Sequence, residues 1–125
     1  EHTYAHLAAL AREVLAAHYA VIVDAAFLKR SWRRHFAELA RDAGATFAIA
    51  TCAAPAATLR ARVALREHSA RDASEAGLAV LERQLATAEP LDADESAHTL
   101  AIDAQHSAGA PEAAALAQRL GLEVC

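Results

Sequence analysis

An aspartate at the end of a β-branched run is the first residue of this sequence that could do chemistry. The run reads Val21-Ile22-Val23-Asp24-Ala25-Ala26-Phe27-Leu28-Lys29-Arg30. In open α/β sheets, ligands bind at the carboxyl ends of the strands, so a strand here delivers Asp24 to the edge of a site. A carboxylate in that place can hold a magnesium-bound water or a substrate hydroxyl. The plainer alternative is that Asp24 caps a turn, as strand-end aspartates commonly do. A second segment, Leu59 to Asp72, carries Arg62 and Arg66 at i, i+4 on one helix face, with Arg71 just before the next helix cap. Arginines on a helix-loop-helix beside a nucleotide can clamp phosphates during transfer. Taken alone, they fit a solvated, salt-bridged face with Glu67 and Asp72 as local partners better.

Other chemistry finds little support. His2 and His6 have the i, i+4 metal spacing, but the glutamate of His-Glu-x-x-His is missing and no third ligand is near. His18, His35, His68, His98 and His106 are scattered, so no metal site is expected. No Gly-x-Ser-x-Gly, Cys-x-x-Cys or Gly-x-Gly-x-x-Gly occurs. The four glycines, Gly44, Gly77, Gly109 and Gly121, lie too far apart to build a phosphate cradle.

The elements that must position these residues follow from apolar periodicity. Thr3 to His18 reads as an amphipathic helix with a stripe of Leu7, Leu10, Ala11, Val14 and Leu15, Arg12 and Glu13 lying off it. Tyr19 to Ala25 is a continuous apolar run of the kind found in strands covered on both faces. Ser31 to Ala43 is helical, with Ser31 as N-cap, Phe36, Leu39, Ala40 and Ala43 as the buried stripe, and Gly44 at C′. Thr46 to Cys52 is a second strand, and Pro55 stands where a helix starts. That helix runs through Leu59 and Val63 to about Glu67. Asp72 and Glu75 have capping-box spacing before a helix with Leu78, Leu81 and Leu85, which ends before Pro90. Asp92 to Ser96 reads as a polar loop, His98 to Asp103 as a third strand, Gln105 to Ala110 as loop, and Pro111 opens a last helix ending near Gly121. Strands alternating with helices imply parallel crossovers. Residues 1–125 therefore read as one α/β domain or domain fragment, with a lid-like helical segment at about 60–88. Three strands leave both sheet edges needing cover, which suggests missing N-terminal strands or a partner chain.

Composition narrows the class. With 125 residues and 55% hydrophobic content, the chain can bury a core, although much of that content is alanine. A net charge of −4 argues against a broad nucleic-acid surface. The basic charge is almost all arginine, Lys29 being the sole lysine. Cys52 and Cys125 form neither a metal-spaced pair nor a disulfide framework, which fits a reduced, cytoplasmic setting. No stretch reaches the roughly 20 apolar residues of a membrane span.

Two parts of the chain, Thr3 to Leu15 followed by Ala20 to Arg30, and Arg71 to Ala76 followed by Leu78 to Leu85, resemble a family of bacterial kinase-like P-loop ATPases of the AAA group. Members are sometimes fused to an aminoglycoside phosphotransferase-like domain. The likeness runs to about Asp103. It implies a three-layer αβα P-loop NTPase-like fold with a parallel sheet, ATP and Mg²⁺ as cofactors, and a small molecule or nucleotide end as phosphoryl acceptor. By the same resemblance, Asp24 ends the strand beside the P-loop strand and faces Mg²⁺ or substrate. Arg62, Arg66 and Arg71 belong to the lid over the ATP phosphates, and the loop after Asp103 lies near the adenine. His18 stands where the family pattern has glycine. The phosphate loop Gly-x-x-x-x-Gly-Lys-Ser/Thr is absent from these residues and is expected about 40–60 residues before Glu1. Without it the fold is incomplete, and the chain alone is expected to be inactive and to bind no cofactor tightly. The alternative is a non-catalytic α/β interaction module that associates through an exposed sheet edge, as in a homodimer.

Overall fold

Alanines spaced three apart let the first helix, α1 (His2–Ala16), approach its neighbour closely. The computed structural model describes residues 2–69, 77–103 and 110–121. Ala8 and Ala11 are buried against Phe36 and Leu39 of α2 (Arg30–Asp42), with Tyr4, Leu7, Leu15, Val21, Val23, Phe27 and Phe47 packed around them. Burying a side chain such as Phe36 contributes about 1.5–3 kcal/mol. The centre of the α1 stripe is thus Ala8 and Ala11, and Leu10, expected on it, is 44% exposed. A period of 3.6 leaves the edge of an apolar face ambiguous, and small residues mark the closest helix approach here.

Both helices end in a left-handed residue. The Tyr19 N–H donates to the Val14 carbonyl (3.2 Å) and the His18 N–H to that of Leu15 (2.9 Å), with His18 at φ 63°. After α2, the Ala45 and Gly44 N–H groups donate to Ala40 (2.8 Å) and Arg41 (3.0 Å), with Gly44 at φ 66°. These pairs satisfy the last helix carbonyls as a Schellman motif does. Gly44 is the expected stop. His18 makes the same turn with a Cβ, so its side chain strains the turn without opening it.

Two expectations for this region need correction. Tyr19 to Ala25 is not a laddered strand, because no strand among the described residues pairs with it. Its exposure alternates: Val21, Val23 and Ala25 are half-buried while Ile22 is 89% exposed, so one face is covered and not two. Ser31 is not the N-cap. The helix starts at Arg30 with Lys29 in the cap position and no cap from its own side chain. The Glu89 carboxylate accepts the Arg30 N–H instead (2.7 Å), filling from a distance the role a capping side chain has locally. Residues Glu1–Phe47 and Glu89–Asp92 form one compact unit.

The second unit, Ala48–Ala88 with Ala93–Cys125, is built on a parallel pair. Strand β1 (Ile49–Ala53) lies beside β2 (Thr99–Asp103) in the register Ile49↔Thr99 to Ala53↔Asp103. Parallel pairing requires a crossover, here α3 (Ala56–Ser69), α4 (Leu78–Thr87) and the short α5 (Ala93–Ala97). The α/β class and parallel sheet of the sequence reading are present; the described sheet has two strands instead of three. Asp92 to Ser96, expected as loop, mostly forms α5. Its end is held by Arg119 of α6 (Ala110–Arg119), which donates to the carbonyls of Ala97 and Thr99, each at 2.8 Å. Among the described residues, no helix is long and apolar enough to cross a membrane.

Candidate functional site

Asp24 stands exposed at the end of the Tyr19–Asp24 segment, and the turn after it is unusually well fixed. Phe27 has φ 45°, a conformation that β-carbon sterics disfavour by roughly 1–2 kcal/mol. Both its backbone polar atoms are taken by side chains. The Phe27 N–H donates to the Tyr4 hydroxyl (3.0 Å), and Arg33 Nη1 donates to the Phe27 carbonyl (3.0 Å). Arg33 Nη2 reaches the Pro90 carbonyl (3.1 Å). The Phe27 ring meets Tyr4 and Phe36 edge-on at 5.3 and 5.1 Å, and Tyr4 stacks on Trp32 at 5.0 Å and 17°.

The segment after α4 secures the other end of the turn. The Glu89 N–H donates to the Leu28 carbonyl (2.8 Å), and its carboxylate accepts from Lys29 Nζ (3.0 Å) as well as from the Arg30 N–H. The Arg30 N–H, then the Lys29 ammonium, hold the Glu89 carboxyl below the usual carboxylate range. Arg30 also lies 3.5 Å from Asp92.

In the second unit, α3 and α4 enclose an open concavity of about 650 Å³, lined by Leu59, Arg62, Val63, Leu65, Arg66, Leu81 and Gln84. Helical spacing puts Arg62 and Arg66 on one wall, both exposed, while Val63 is buried at the floor. The two helices are joined by Arg60, whose Nε and Nη2 bind both oxygens of Glu82 at 2.6 and 3.1 Å. That forked contact raises the Arg60 pKa and lowers that of Glu82. Leu78 and Leu85, expected on the buried stripe of α4, are 43% and 40% exposed; no described residue of α4 is fully buried.

The structure therefore brings Arg62 and Arg66 together and places Asp24 in the other unit, on a separately built turn. Arg71, with the Asp72 and Glu75 cap, lies outside the described residues, as do Cys125 and His106. No group of three or more metal-ligating side chains occurs among the described residues. The donor set fits phosphate: planar guanidinium groups beside an open cleft suit its oxygens. Tyr4, Arg33, Glu89 and Arg60 escape a reading of the sequence. Arg33 alone leaves a signal, since it precedes Phe36 and Ala40 at i, i+3, i+7 on an otherwise apolar stripe.

A family model described as an AAA domain matches residues 1–91. No curated protein and no solved structure matches the chain.

Proposed function

Because the chain belongs to the AAA-domain family, a group of P-loop kinase- and ATPase-type domains that use ATP and Mg²⁺, we propose that it works in phosphoryl transfer to a small molecule or nucleotide end. When bound, ATP supplies the activated phosphoryl group. Arg62 and Arg66 then hold its phosphate oxygens from the wall of the α3–α4 concavity and offset charge as transfer proceeds. Arg71 is assigned to the same lid on the strength of its place between the two helices. Asp24, on the turn of the first unit, is assigned by the family resemblance to orient the acceptor hydroxyl or a magnesium-bound water. The observation that carries this reading is the pair of arginines, Arg62 and Arg66, on one wall of the α3–α4 concavity.

The test is calorimetry with Mg²⁺–ATP on the 125-residue chain beside a form extended toward the N-terminus. Binding by the extended form, weakened about tenfold or more by Arg62→Ala or Arg66→Ala, is expected, since each charge-assisted contact is strong. Absence of binding in both forms would reduce the likeness to one of fold.

A second reading rests on Ile22 and Tyr19, 89% and 71% exposed on an unladdered segment. An extended stretch that pairs with no described strand can pair with another chain. On this reading the chain is an interaction module that associates with a second copy of itself.

A further inference from the structure

We propose that Tyr4 is a positioning residue for Asp24, acting through the backbone of Phe27. This inference rests on the reading of Asp24 as the acceptor-facing carboxylate and names what holds it in place. Two residues, Ala25 and Ala26, separate Asp24 from Phe27, whose left-handed φ of 45° sets the direction in which the chain leaves the carboxylate. A bulky residue stays in that region only where its surroundings over-determine it, and such residues gather at functional sites. Here the surroundings act on both sides of the residue. The Tyr4 hydroxyl accepts the Phe27 N–H, Arg33 donates to its carbonyl, and the ring lies edge-on between Tyr4 and Phe36.

Tyr4 does this from α1, a helix that carries none of the candidate chemistry. Its ring is already held by the stack on Trp32 at 5.0 Å, so the hydroxyl is presented to Phe27 at little further cost in side-chain freedom. A plain packing role needs the ring alone, whereas the hydroxyl contact has a separate consequence for the turn. Tyr4→Phe separates the two, because it keeps the stack and removes the acceptor.

The experiment uses whichever form binds Mg²⁺–ATP, with ATP hydrolysis to water as the probe reaction. Tyr4→Phe is expected to speed hydrogen exchange at the Phe27 amide by about tenfold, leaving the amides of α1 and α2 unchanged. It is also expected to lower kcat several-fold with KM for ATP unaltered. Added to Asp24→Asn it should cost nothing further, since both act at one place. Unchanged kcat in Tyr4→Phe, or a loss that adds in full to that of Asp24→Asn, overturns the positioning role. A wild-type protein whose turnover is indifferent to Asp24→Asn overturns the reading of Asp24 itself, and that result needs no Tyr4 variant to be seen.

Discussion

Arg33 carries a charged group into a position only 6% exposed, and its guanidinium is spent on the carbonyls of Phe27 and Pro90. Removing one partner of a buried polar set leaves the other without water or protein to bind. Arg33→Met should therefore lower stability by about 2–3 kcal/mol, read as a shift in the urea midpoint. A midpoint unmoved by this change would mean that water replaces the guanidinium. His18 offers the opposite change. It occupies a left-handed turn at φ 63° where only glycine avoids a steric penalty. The extra freedom that glycine gives the unfolded chain offsets part of the gain, so His18→Gly should raise stability by about 0.5–1 kcal/mol. A fall in melting temperature would show that the side chain has a packing role. The sequence announces the His18 anomaly as a departure from a glycine pattern. It does not announce Arg33 as a buried anchor, because an arginine on a helix is ordinarily solvated.

At the scale of elements, α2 depends on a carboxylate 59 positions away in the chain, since Glu89 accepts the N–H of Arg30. The native Glu89 pKa lies below its ordinary value, through the Arg30 N–H first and Lys29 second. A depressed carboxyl pKa means that the native state holds its charge at a pH where the unfolded chain has begun to protonate. The stabilisation is complete above the unfolded value and is lost as pH falls through the native one. Glu89→Gln should flatten the acid limb of a stability-versus-pH curve in that window, measured by thermal melts. An acid limb of unaltered steepness would assign the sensitivity elsewhere, for which Glu82, lowered by its bond to Arg60, is the other candidate. Element existence was largely legible: α1, α2, α3, α4, β1 and β2 all lie within a few residues of where periodicity puts them. The strand expected at Tyr19 to Ala25 pairs with no described strand, and what escaped was the start of α2 and the existence of α5. A remote cap leaves no mark near Ser31, and a five-residue helix offers too little repeat to read.

For the whole chain, Ile22 and Tyr19 leave apolar surface exposed to solvent. An extended edge with this much exposed apolar surface favours pairing. If a second copy is the occupant, light scattering should show a mass that rises with concentration, and Ile22→Lys should return it to the monomer. A monomer at every concentration would remove the interaction-module reading and leave the phosphotransfer reading alone. By itself the sequence determined the α/β class, the parallel crossover, the glycine stop at Gly44 and the shared face of Arg62 and Arg66. Each of these depends on spacing within a few residues, where backbone geometry leaves little choice. Only the tertiary structure decided that Ala8, and not Leu10, joins Ala11 in the core. It alone decided that Tyr4 and Arg33 grip Phe27, that Glu89 caps α2, and that Arg60 ties α3 to α4. Those contacts join residues 6 to 59 positions apart. Their partners are chosen by which surfaces meet when the core closes, and no local period in the chain encodes that choice.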